Sequence, residues 1–163
     1  MNRKHAIIAV VVVLTLISLA IYSLFYWYGV PMSEPRVGSR VFFGTGQGYT
    51  QFACEVADTP AEWTTGLSGR EVLAENRGMI FYFPEPTHQS FWMKDTLIPL
   101  DIIFIWANYT IGAIYEAPTE LGIPDENLTR YESPGMIKLV VELNIGVCAA
   151  NGIVIGSQVS IEG

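Results

Sequence analysis

From Ala6 to about Val30 the chain carries no Asp, Glu, Lys or Arg, and Arg3 and Lys4 stand just before this apolar run. At 1.5 Å rise per residue, roughly 20 helical residues cross a bilayer core of about 30 Å. The segment is long enough to span, so residues 6–30 are expected to form a transmembrane signal anchor, with residues 1–5 as a basic cytoplasmic end. A cleaved signal peptide is the competing reading, with Ser18-Leu19-Ala20 as a small-x-small site. Its apolar centre usually covers only about 7–15 residues. Here the run continues through Tyr22, Phe25, Tyr26, Trp27 and Tyr28, rings that suit the headgroup layer at the far end of a helix.

Charge asymmetry sets the orientation. The short basic end stays in the cytoplasm under the positive-inside rule, and everything after residue 31 is exported. The expected location is therefore the cell membrane, single-pass, with the C-terminal domain outside. That exported part holds 7 bases against 16 acids, a net charge of −9. Such a domain is repelled by phosphate backbones, so nucleic acid is not an expected partner.

About 130 residues follow the anchor, a usual size for one domain with one core. Residues 31–47 read as a linker and first strand, and residues 48–163 as a β-rich domain. Tyr49 to Ala57 alternates with Phe52, Cys54 and Val56 on one face, as a half-buried strand does. Thr59-Pro60-Ala61-Glu62 is a capping box with proline at the first helical position, and Gly66 ends that helix. Ser68-Gly69-Arg70-Glu71 repeats the box spacing and predicts a second short helix through Ala74. Apolar runs at Met79–Phe83, Phe91–Met93 and Leu100–Trp106 read as strands, and Leu100 to Glu116 as an antiparallel hairpin turning near Asn108. Thr119 to Gly135 is a long loop, Ile137 to Leu143 a strand, Gly146 to Ala150 a helical turn, and Ser157 to Ile161 a last strand. The fold class expected is mainly β, a compact antiparallel sandwich or barrel with two or three short helices.

Three segments carry a resemblance: Gly66-Leu67-Ser68-Gly69-Arg70, Gly78-Met79-Ile80-Phe81-Tyr82-Phe83, and above all the stretch from Phe91-Trp92-Met93-Lys94-Asp95-Thr96 through Pro99-Leu100-Asp101 to Ile105. With Val140-Val141-Glu142-Leu143-Asn144-Ile145-Gly146 and Ile155-Gly156-Ser157-Gln158-Val159, the chain resembles the uncharacterised family known as domain of unknown function 192 over about residues 50–162. It departs from that family's pattern at Ser68, where methionine is usual, and in the loop from Gly122 to Tyr131, which lacks the family's cysteine. The resemblance implies a β-rich, sandwich-like exported domain with no established activity.

Trp92-Met93-Lys94-Asp95-Thr96 is the densest mixture of chemistries. If it were a strand, Trp92 and Lys94 would share a face, an aromatic ring beside a cation, which suits a saccharide or a carboxylated small molecule. The structural alternative is that Trp92 fills core and Asp95-Thr96 caps the turn before Pro99. Asp101 and Glu142 are carboxylates in apolar strands; alternation would let Glu142 face solvent, since burial without a partner is costly. With Arg70 and Lys94 they could instead form one ionic network.

The candidate ligand-binding residues are thus Arg70, Trp92, Met93, Lys94, Asp95, Asp101 and Glu142. Asn108 and Asn127 satisfy the N-glycosylation pattern. Cys54 and Cys148 either pair, as an exporting compartment permits, or remain two buried thiols. With only His5 and His88, and no glycine-rich phosphate loop opening a helix, a histidine metal centre, a catalytic triad and a nucleotide site are poorly supplied. No cofactor is expected, and the sequence names no protein partner.

The functional expectation is a membrane-anchored small-ligand-binding or accessory module without catalysis of its own. The alternatives are a paired-carboxylate hydrolase, using Asp95 or Asp101 as base and Glu142 as acid, and a structural partner in an envelope complex.

Overall fold

The computed structural model describes residues 37–163. The expected cytoplasmic end and anchor lie outside the described residues. Among the described residues no helix is long and apolar enough to cross a membrane.

Among the described residues nine strands form two sheets: β1 (Val37–Thr45), β2 (Gly48–Ala57), β3 (Arg77–Thr87), β4 (Ser90–Phe91), β5 (Leu100–Ile105), β6 (Ile111–Ala117), β7 (Tyr131–Glu132), β8 (Ile137–Asn144) and β9 (Val159–Glu162). Seven of them make one sheet in the order β6-β5-β8-β3-β2-β1-β9, and β4 pairs with β7 alone. The sheet is mixed, where a purely antiparallel one was expected, because β2 and β3 run parallel. Parallel neighbours need a crossover of a dozen or more residues. The chain from Asp58 to Asn76 supplies it, carrying α1 (Pro60–Thr65) on the way.

The two edge strands meet at one end of the sheet. Val159 N–H donates to Tyr109 O at 2.8 Å, Ile111 N–H to Ser157 O at 3.0 Å, and Gly156 N–H to Ile111 O at 2.9 Å. The sheet therefore curls around one core, built from Val41, Phe43, Phe52, Ile80, Ile103 and Val141 among others. A second core lies on the outer face, where Phe81, Phe104 and Val140 pack against Leu67, Leu73, Met93 and Ile98 from the loops. Coverage on both faces explains why β5, Leu-Asp-Ile-Ile-Phe-Ile, is buried at every position.

Local chemistry accounts for the short elements. Thr59 and Glu62 close the predicted capping box, with Thr59 N–H donating to Glu62 Oε2 at 3.0 Å and Glu62 N–H to Thr59 Oγ1 at 3.4 Å. Gly66, at φ 46°, ends α1, a conformation that costs glycine little. The second helix predicted from Ser68 to Ala74 does not form. Gly69 adopts φ 72° and the following residues run irregularly, with Arg70 drawn to Glu55. α2 (Val147–Asn151) stands where the helical turn was predicted, and a single 3₁₀ turn (Asp125–Asn127) lies in the long loop.

Candidate functional site

The outer face of the sheet positions one charged group without a partner. Cross-strand register aligns Glu142 of β8 with Met79 of β3 on one side and Ile102 of β5 on the other. All three side chains therefore point to the face covered by α1 and the loops. Alternation alone predicts a solvent-facing Glu142, but the covering layer leaves it only 5% exposed. Its carboxyl group makes no hydrogen bond or ion pair among the described residues. No buried side-chain oxygen or nitrogen among the described residues is orphaned. The carboxyl end of Glu142 accordingly keeps its residual exposure, and it does so in a cleft of about 100 Å³. Burial pushes this carboxyl up from its ordinary 4.5 to about 8.

Three structural devices build the cleft around it. α1 and Gly66 form one wall, with Trp63 anchored by its indole N–H donating to Ala57 O at 3.1 Å and by Phe83, whose ring centre lies 5.2 Å away. An added Cβ on Gly66 would meet the Phe81 ring at 3.3 Å, so this approach is already tight. Phe81 and Phe91 of the lining meet edge-on at 5.0 Å, and Phe104 backs Phe91 edge-on at 5.7 Å from outside the cleft. The rim is the turn from Trp92 to Thr96. Asp95 sits there at φ 52°, its carbonyl accepting from Gly69 N–H at 2.8 Å, which ties the rim to the loop after α1. Ser68, Trp92, Lys94 and Thr96 all line the same cleft as Glu142.

Trp92 and Lys94 thus meet at one site, although the strand expected to align them stops at Phe91. The Lys94 ammonium lies 5.4 Å from the Trp92 ring centre and is ion-paired with Asp125. That pairing raises its pKa. Arg130, which the sequence reading missed, stacks on the same ring at 3.8 Å. Its position in the long loop gave no periodic or motif signal; only the returning chain brings it there.

The other expected site residues go elsewhere. Met93 is buried in the outer core, and Asp95 is exposed in its turn. Arg70 forks onto Glu55, at 2.5 and 2.8 Å. Asp101 is fully buried but pairs across the strands with Leu143, so it points to the opposite face from Glu142. There it accepts from the Gly146 and Cys148 N–H groups at 3.0 and 2.8 Å, capping α2. The single ionic network of Arg70, Lys94, Asp101 and Glu142 is therefore not formed, and the geometry does not bring Asp95 or Asp101 to Glu142 as a catalytic pair.

Cys54 and Cys148 are free, buried thiols, so the disulfide left open from the sequence is not made. Burial first, then the Glu55 charge, pushes Cys54 up to about 12. Burial, followed by the Asp101 carboxylate, raises Cys148 as well. Asn108 and Asn127 are both exposed, in the β5–β6 turn and the 3₁₀ turn. Asn108 Oδ1 accepts from the Thr110 hydroxyl at 2.7 Å. Among the described residues no three His, Cys, Asp or Glu side chains converge as a metal site. In a larger depression beside Thr50, Asn144 and Asn151, Asn144 donates to Leu73 O and Thr50 to Asn151.

The family model described as an uncharacterized ACR, domain of unknown function 192, matches residues 42–161. No curated protein matches the chain. Similar solved structures include the following two. One is a protein of unknown function from Novosphingobium aromaticivorans DSM 12444, at 33% identity and TM-score 0.70, covering 80% of this chain and 89% of that one. The other, from Sinorhizobium meliloti 1021, is described as a "putative transcription regulator"; it matches at 31% identity and TM-score 0.67, covering 75% of this chain and 92% of its own.

Proposed function

We propose that this chain, which belongs to the uncharacterized ACR family of domain of unknown function 192, is a membrane-anchored extracytoplasmic module that binds a small ligand in the Glu142 cleft. One observation carries the reading. A nearly buried carboxyl group without a partner among the described residues opens into a cavity lined by aromatic rings, with a tryptophan and a lysine at its rim. Ligand sites are concave, largely apolar and furnished with a few convergent polar groups, and a carboxyl with a displaced pKa marks such a place. A purely structural glutamate at this position would be expected to hold a partner.

The anchor rests on the apolar run from Ala6 to Val30, and the orientation on Arg3 and Lys4. The name of the Sinorhizobium relative belongs to that protein. In this chain the net charge of −9 beyond residue 31 favours a small molecule over a nucleic-acid backbone.

Two experiments test the reading. Full-length protein in nanodiscs, screened against small-molecule mixtures by ligand-observed NMR, should bind a compound whose signal change disappears in Trp92→Ala. Retained binding by that folded variant would remove the site. Protease added to spheroplasts should degrade residues 37–163, and their protection would overturn the orientation.

A further inference from the structure

Five aromatic side chains, Trp63, Phe81, Phe83, Phe91 and Trp92, line the cleft into which the unpartnered Glu142 carboxyl opens. Aromatic ring faces carry negative electrostatic potential and attract ammonium groups, most strongly where water is excluded, and the Trp92 ring already holds the Arg130 guanidinium in this way, at 3.8 Å. We propose that the ligand group seated in the cleft is an organic ammonium, a protonated primary amine or a small alkylated ammonium, with the Glu142 carboxylate as its counter-charge. This rests on the reading of the cleft as a binding site.

Size and charge narrow the class. Each water in the liquid takes about 30 Å³, so about 100 Å³ holds an ammonium head with a short alkyl stem. An anion would be brought against Glu142, whose carboxyl has no ion-pair partner among the described residues. An ammonium supplies that missing charge, and its N–H groups find further acceptors in the Ser68 and Thr96 hydroxyl oxygens of the same lining.

The charges on the surrounding elements leave this role to Glu142. Lys94 is the other titratable group in the lining, held at the rim by Asp125, and Arg130 lies outside the lining, stacked on the Trp92 ring. Glu55 of β2, across Met79 in the same row of the sheet, is neutralised by Arg70. Arg77 lies two residues before Met79 on that face of β3, outside the lining. Asp101 of β5 points to the other face. None of α1, β4 or the 66–69 turn contributes a charged side chain to the lining.

The same geometry sets the pH dependence. Burial holds the empty-site carboxyl at about 8, so an ammonium binding at lower pH must first displace a proton. n-Propylamine, protonated to about pH 10 as a lysine side chain is, keeps its charge over most of the range. Its Kd should fall roughly tenfold per pH unit up to about 8 and then level off.

The test is calorimetric titration of the full-length chain in nanodiscs between pH 6 and 9, with n-propylamine, tetramethylammonium and the neutral isostere 1-propanol as probes. The proposal expects both cations to bind, with a Kd roughly 100-fold lower at pH 9 than at pH 6. Glu142→Gln, which keeps the side-chain shape, should weaken them at least tenfold at pH 9 with an unchanged circular dichroism spectrum. Lys94→Ala, at the rim, should tighten both cations a few-fold by removing a like charge, and it leaves Glu142 untouched if the glutamine variant fails to fold. If 1-propanol binds as tightly as n-propylamine at pH 9, or if the cations bind no better as pH rises, the ammonium assignment falls while the cleft remains a ligand site. If no probe binds saturably to the wild type, both the assignment and the binding site are overturned.

Discussion

Replacing Glu142 by glutamine keeps the volume and the hydrogen-bonding ends of the side chain and deletes only its ionisation, so it isolates the cost of burying this carboxyl. The folded domain holds the proton up to about 8, against an ordinary 4.5. Between those values the native state binds more protons than the unfolded chain, and stability must fall as pH rises. The contribution is fully present below about 4.5, is lost progressively on the way to 8, and is level above it. At about 1.4 kcal/mol per pKa unit, the whole loss is of order 4–5 kcal/mol. A typical domain is stable by only about 5–15 kcal/mol, so the wild type should be markedly weaker at pH 9 than at pH 5. The assay is thermal or urea unfolding of the full-length chain in detergent, followed by tryptophan fluorescence across that range, for wild type and Glu142→Gln. The difference between the two proteins cancels the contribution of every other titrating group. The glutamine variant should lose most of the slope and become the more stable protein at pH 9. Equal slopes would mean that the carboxyl is not held in a largely desolvated, unpartnered place, and the cleft would lose its defining feature.

Other perturbations separate structural residues from the site. Asp101→Ala leaves the Gly146 and Cys148 N–H groups without their acceptor. It should cost roughly 2–4 kcal/mol in denaturant titration, with little change in any ligand affinity. The thiols of Cys54 and Cys148 should react with a chromogenic disulfide reagent only after unfolding, and reductant should leave the melting temperature unchanged. Gly66→Ala forces a side chain into positive φ and against Phe81, and should cost of order 1–3 kcal/mol while loosening the cleft wall. In a host that glycosylates exported proteins, intact mass should drop on deglycosylation, and Asn127→Gln should remove one glycan's share; an unchanged mass would exclude modification of the exposed turn.

Much of the sheet was legible because strands advertise themselves locally. The alternation of β2, the capping box at Thr59, the hairpin at Asn108 and the glycine after α1 all depend on residues within a turn or two of each other. The parallel pairing of β2 with β3 was not, since nothing in either strand encodes which neighbour it will meet after a crossover. The second short helix failed for a related reason. Ser68-Gly69-Arg70-Glu71 has the spacing of a cap, but Gly69 turned left-handed and Arg70 found Glu55, 15 residues back in the chain.

The site shows the same limit more sharply, and Glu142 and Asp101 make the argument together. Both are carboxylates embedded in apolar strands, and sequence offers the same two fates to each: face water, or find a partner. Register decides between them. Asp101 opposes Leu143 and reaches two free backbone N–H groups at the start of α2, so its charge is satisfied locally. Glu142 opposes Ile102, one position out of step, and emerges on the other face under Trp63, Phe91 and Trp92. That cover comes from segments 45 or more residues earlier, and no period in the sequence reports it. Burial of an unpartnered carboxyl opposes folding, so the domain bears a cost there that a leucine would not impose. A cost of that kind persists where strained or mismatched groups serve a function, which is the physical ground for expecting a ligand to supply what the protein itself withholds.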